Sequence, residues 1–202
     1  MKNYICLNGQ KIELSCEQLE KMKTSLGIGQ IELSSLSPKD TFKIGKHEFI
    51  VLKQIEGSSI VLLKETLGDS KFGDVNNYNG SIVDATCEKF ADEIADIIGA
   101  ENIIEHTVDL TADDGLKDYG TIERRMSLLP ANDCRSYVEI LDTHKLDKWW
   151  WTATAYSTPA HGDEDLVKCV SPSGYFNYWF SHDDGYGVRP FCILKSNIFV
   201  SK

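Results

Sequence analysis

The chain predicts an α+β fold in which antiparallel sheets carry one or two helices and a small β-hairpin-plus-helix arm precedes them. Strand-like runs broken by turn residues occur at 41–63 and again after 149, with one amphipathic helix pattern at 81–98. Eleven of the twenty aromatic residues, the sum of 4 Trp, 8 Tyr and 8 Phe, lie between 149 and 191. At 202 residues the chain can bury one full core plus an appendage, and 42% hydrophobic with 26% charged residues is a globular composition.

Residues 3–14 form two short strand-like runs around Asn8-Gly9, the pair best suited to a tight hairpin turn. Ser15 and Gln18 have capping-box spacing, and Leu19 and Met22 continue a short helix that Gly27 and Gly29 stop. Ser, Gly and Pro dominate 25–40, which reads as a connection and divides an arm, 1–38, from a main domain, 39–202. Phe42 and Ile44, then His47 to Leu52, a turn at Glu56-Gly57-Ser58 and Ile60 to Leu63 read as a second hairpin, central in a sheet. Ser81 and Asp84 cap a helix whose Val83, Cys87, Phe90, Ile94, Ile97 and Ile98 recur at helical intervals up to Gly99. The acidic stretch 105–124 reads as loop, and a further helix is expected over Asn132–Ile140.

A formal net charge of -10 repels phosphate backbones and anionic lipid, which argues against direct nucleic-acid binding and membrane-surface binding. No apolar run reaches the roughly 20 residues of a bilayer span, so no membrane insertion is expected. The six cysteines are scattered with no Cys-x-x-Cys pair, and no apolar signal segment opens the chain. Reduced thiols and a cytoplasmic or virion-associated location are the expectation.

In an extended segment side chains alternate faces, so Trp149 and Trp151 oppose Trp150, while Tyr175 and Trp179 oppose Phe176, Tyr178 and Phe180. Rings on both faces imply a two-sided core, each large ring supplying about 2–3 kcal/mol on burial. Trp149, Trp150, Trp179, Arg189 and Pro190 read as scaffold. Tyr156, Tyr175, Tyr178 and Tyr186 combine an apolar ring with a hydroxyl and are the candidate ligand-binding residues, with Asp163 and Asp183 in the neighbouring loops.

His161-Gly-Asp-Glu-Asp and His182-Asp-Asp-Gly pair imidazole with carboxylates, which makes His161, Asp163, Asp165, His182 and Asp184 candidate ligands for a divalent cation. The same residues are ordinary turn formers, and solvated turns are the preferred reading of them. Asp113-Asp-Gly resembles a calcium-loop fragment without its later Glu. Cys169 and Cys192 have no basic neighbours that mark a thiolate, no Gly-x-Ser-x-Gly elbow occurs, and no catalytic residue or cofactor is assigned.

Five blocks occur in one order: Gly57-Ser-Ser-Ile-Val-Leu-Leu63, Asn77-Tyr-Asn-Gly-Ser81, Ser127-Leu-Leu-Pro130, Trp149-Trp-Trp-Thr-Ala153 and Gly187-Val-Arg-Pro190. This order resembles the DUF6273 family, found largely in Firmicutes and their phages, over about residues 40–195. Thr152-Ala153-Thr154 stands where Arg-Ser is common in that family, and Phe191 where Ala is common. The ending also resembles the Gly-Phe-Arg-Pro strand of the formylglycine-generating-enzyme-like branch of C-type-lectin-like folds. The resemblance implies a C-type-lectin-like domain of phage or prophage origin, a non-enzymatic binding protein that presents loops 105–124, 156–165 and 181–187 to a protein or glycan. An acidic intracellular inhibitor occupying a basic, nucleic-acid-binding groove is the alternative expectation, and a metal-dependent hydrolase the third. The arm is a candidate contact for a homo-oligomer.

Overall fold

Phe49 to Leu52 and Val61 to Leu63 set the plan of the molecule, because consecutive apolar residues in a strand send side chains to both faces and both faces need cover. The computed structural model describes residues 3–7, 10–18, 22 and 29–202, of which 3–7 and 10 are described by backbone alone. The strands are β1 (Asn3–Leu7), β2 (Gln10–Leu14), β3 (Gln30–Glu32), β4 (Thr41–Ile44), β5 (His47–Ile55), β6 (Ser58–Leu63) and β7 (Asp69–Ser70). Helix α1 (Ile82–Ile98) follows, then β8 (Ile103–Ile104), β9 (His106–Asp109), β10 (Thr121–Arg124), β11 (Met126–Leu128), α2 (Ala131–Ser136) and α3 (Val138–Thr143). The chain continues with β12 (Trp150–Ala155), β13 (Leu166–Val170), β14 (Phe176–Phe180), β15 (Tyr186–Gly187), β16 (Pro190–Lys195) and β17 (Phe199–Ser201). The fold is mixed α+β and mostly antiparallel; one short pairing, β12 with β15, is parallel.

An eight-stranded sheet runs β11-β16-β6-β5-β4-β17-β3, with β8 also pairing β16. The hairpin β5-β6 is central, as expected, and Gly57 at its turn has φ 76°. On one face Phe42, Phe49, Val51, Val61 and Leu63 pack under Phe90, Ala91 and Ile94 of α1. On the other, Ile50, Leu52 and Leu62 pack under Cys134, Ile140 and Leu141 of α2 and α3, together with Trp150 and Phe191. Ser81 caps α1 by accepting the Asp84 N–H at 3.1 Å, and Gly99 ends it with φ 87°. A five-stranded sheet, β14-β13-β12-β15-β7, joins the large sheet where Ala153 N–H donates to Leu129 O at 3.1 Å. Its inner face carries Trp151, Val167 and Cys169 against Phe72, Val83, Cys87 and Tyr186.

Trp150 and Trp151 point into different cores, so the two-sided burial expected of the Trp run is found. Arg189 is 1% exposed. Its guanidinium donates to the carbonyls of Leu63 at 2.9 Å, Lys64 at 2.8 Å and His144 at 3.2 Å, and lies 5.3 Å from the Trp150 ring centroid. Burial pulls its pKa down to about 10. Gly187 has no positive φ; its requirement is room, since a Cβ there would sit 2.5 Å from Thr66 Cγ2.

Three segments depart from expectation. Within the supposed connection 25–40, β3 pairs with β17, and Leu33 and Leu36 enter the core, so the main sheet begins at residue 30. Within 105–124, β9 and β10 pair as a hairpin, whose alternating buried His106 and Val108 are the period-two signal hidden by the surrounding carboxylates. The helix expected over Asn132–Ile140 is two six-residue helices divided at Tyr137, where φ is -108°. In the arm, β1 and β2 pair as a hairpin with Leu7 opposite Gln10, while the Asn8-Gly9 turn lies outside the described residues. Ser15 and Gln18 exchange both capping-box bonds, at 2.9 and 3.1 Å; Leu19 and the stop at Gly27 lie outside the described residues.

Candidate functional site

The site is built at the open edge of the five-stranded sheet. β13 and β14 pair antiparallel with Lys168 opposite Tyr178 and Leu166 opposite Phe180. Val167 and Cys169 face the inner core, so Lys168, Tyr178 and Phe180 share the outer face. Tyr156, just past β12, leans on Tyr178 with ring centroids 4.5 Å apart. The Lys168 ammonium lies 5.9 and 5.7 Å from these two ring centroids and pairs with Asp113 at 3.1 Å. Asp113 also accepts from Arg135 at 2.9 Å, and Arg135 sits over the Phe176 ring at 5.2 Å. Burial raises the pKa of Asp113, but the hydrogen bonds and charges of Arg135 and Lys168 outweigh it and hold the carboxyl below its ordinary value.

Of the four candidate tyrosines, Tyr156 is 37%, Tyr178 41% and Tyr175 65% exposed, Tyr175 standing on the β13-β14 turn. Tyr186 is 8% exposed, with its ring 4.2 Å from that of Trp151 in a stack, so it belongs to the core and not to the outer surface. Trp179, expected as scaffold, is 42% exposed, and Phe180 is 48% exposed. Only side-chain parity in β14 pointed to Phe180, and parity does not say which face solvent reaches at an edge.

Asp163 and Asp183 hold their own loops. Asp163 Oδ1 accepts from the N–H groups of Asp165 and Leu166, and Asp183 accepts the Trp179 indole N–H at 2.6 Å and the Gly185 N–H at 3.1 Å. The Trp179 bond, then the Gly185 bond, lowers the Asp183 pKa. Asn76, fully buried and not anticipated from sequence, donates to the Ser157 and Leu166 carbonyls and accepts from the Tyr119 hydroxyl at 2.6 Å. Asp114 accepts from Ser157 at 2.6 Å and lies 2.9 Å from His161 Nδ1, and Asp118 accepts from Thr158. Loops 110–120 and 156–165 are therefore knitted together, and Ser181 N–H to Asp165 O at 2.6 Å adds the start of 181–187.

The cation candidates do not converge. His161 is engaged with Asp114, the His182 ring lies tilted 5.4 Å from that of Phe180, and among the described residues no group of three or more His, Cys, Asp or Glu is placed to hold a metal ion. Burial raises the thiol pKa of Cys169 to about 12, and Cys192 higher still. No described helix is long and apolar enough to cross a membrane. Comparison with family models, curated proteins and solved structures finds no match.

Proposed function

We propose that the chain is a non-enzymatic binding protein that engages a protein or glycan through the aromatic edge formed by Tyr156, Tyr178, Trp179 and Phe180. The supporting observation is concentration. Of the six aromatic residues more than about a third exposed among the described residues, five fall at 156–180, and Phe199 alone lies elsewhere. Rings with few rotatable bonds give contact area at small entropic cost, and here Tyr156, Tyr178 and Phe180 on the outer face and Trp179 on the other face are gathered at one sheet edge. The knitted loops beside it supply rigid polar neighbours, the carboxylates of Glu164, Asp165 and Asp184 among them. The ordered motif blocks support placing this domain with DUF6273 and C-type-lectin-like binding modules of phage or prophage origin.

Peptide and glycan arrays probed with the wild type and with the Tyr178→Ala/Phe180→Ala double variant test the proposal. The variant should still fold cooperatively and melt only slightly lower, because Tyr178 and Phe180 lie outside the buried core, while it should lose capture about tenfold or more. Equal capture by both proteins overturns the aromatic surface.

A further inference from the structure

Edge strands of native sheets are usually short or guarded by charge or Pro, because their outward N–H and C=O groups are templates for a further strand. In the two large sheets the edges β3 and β11 have three residues each, and β7 and β8 two each. β14 has five, Phe-Asn-Tyr-Trp-Phe, with no charge and no Pro. It is the long, unguarded edge of the molecule's large sheets.

The backbone parity of β14 follows from hydrogen bonds on its neighbour. Leu166 O accepts from Tyr156 N–H and Lys168 O from Thr152 Oγ1, both at 2.8 Å, so residues 166 and 168 turn their backbone groups toward β12. Ser171 N–H donates to Tyr175 O at 2.9 Å, so 167, 169 and 171 turn theirs toward β14. In an antiparallel ladder the partners Asn177 and Trp179 then bond inward, and Phe176, Tyr178 and Phe180 turn outward. Phe180 O is taken by Asp183 N–H at 3.1 Å. Among the described residues, both backbone groups of Phe176 and of Tyr178 and the N–H of Phe180 face the open edge with no partner strand.

We propose that β14 takes an extended peptide segment of a partner protein as an added sixth strand, with a basic residue beyond the Phe180 end. This rests on the aromatic-surface proposal and specifies its ligand. Outward backbone groups supply the register, and the rings of Tyr178 and Phe180 flank alternate side chains of the incoming strand. Charge selects the basic end: Glu164, Asp165 and Asp184 are exposed beside Phe180, and none of the three is in an ion pair among the described residues. A second copy of the chain fits less well, because each copy has a net charge of -10 and brings the same carboxylates to the edge.

The test uses a library of extended peptides with alternate positions drawn from Val, Ile, Phe and Tyr, one set ending in Lys and one in Glu. Wild-type protein should retain the Lys-ended set about tenfold better than the Glu-ended set at low salt, with the preference shrinking as salt rises. N-methylation of one of the two alternating sets of peptide amides, the set that faces β14, should cut binding about tenfold or more, because each methyl there removes a ladder bond, while methylation of the other set should be tolerated. Tyr178→Pro removes an outward N–H while leaving the β13 ladder intact, and should lose binding well beyond Tyr178→Ala, with an unchanged melting temperature. Equal retention of unmethylated peptides and of both alternately methylated sets, or of both charge sets, overturns strand addition even where the proline variant fails to fold. If Tyr178→Ala/Phe180→Ala still abolishes array capture in that case, the aromatic surface stands without the added strand. A wild-type dimer that Tyr178→Pro dissociates assigns the edge to a second copy and likewise overturns the proposal.

Discussion

His106 shows how one side chain sets a pH response. Its ring is 8% exposed, 3.1 Å from Ser127 Oγ through Nε2 and 4.7 Å from the Phe191 ring centroid. Burial lowers its pKa below the ordinary 6.5, since the charged form loses hydration that Ser127 does not replace. The unfolded chain therefore takes up this proton at a higher pH than the folded one. Stability is present in full above pH 6.5 and is lost as the pH falls through the lower folded value. Urea melts at pH 7 and pH 5 should show a smaller decline for His106→Gln than for the wild type; equal declines would place the response elsewhere. Sequence could not single this histidine out of five, because its neighbours along the chain, Glu105 and Thr107, are those of a loop.

At the scale of elements, β15 illustrates a constraint that conformation alone does not reveal. Gly187 pairs beside Trp150 of β12, and its N–H donates to Trp149 O at 2.8 Å. Thr66 closes over it so tightly that a methyl group meets Cγ2. Gly187→Ala should cost about 1–3 kcal/mol in thermal or urea unfolding, and Thr66→Ala in the same chain should restore part of it. Elements with strong local signals were legible in sequence: the capped helix over 82–98, the β5-β6 hairpin and the opposed tryptophans. The β9-β10 hairpin was not, because the carboxylates along 105–124 hide its alternation, and β3 was not, because Gln30–Glu32 has no meaning as a strand until Phe199–Ser201 lies beside it. The exposed tyrosines were legible as ring-plus-hydroxyl residues near loops, whereas Tyr186 carries the same chemistry and is buried by its contact with Trp151.

For the whole molecule, the cysteines report on opening. Cys87, Cys134, Cys169 and Cys192 are buried and Cys16 is exposed. Burial raises the pKa of Cys87 and Cys169 to about 12 and that of the other two buried thiols further, so neither access nor thiolate favours reaction in the folded state. Iodoacetamide at pH 8 followed by peptide mapping should modify the four buried thiols only as the fold opens. Early labelling of Cys192 would contradict its place in the sheet centre.

That place has a consequence for how the protein is made. β16 lies between β6 on one side and β8 and β11 on the other, and Arg189, just before it, ties down carbonyls 125, 126 and 45 residues earlier in the chain. While a ribosome is still extending residues 60–185, β6 has its neighbour β5 but an empty flank, and the Leu63, Lys64 and His144 carbonyls await their donor. The large sheet closes only once residues 190–195 pair with β6, so the β6 flank of the nascent chain is the surface a chaperone would shield.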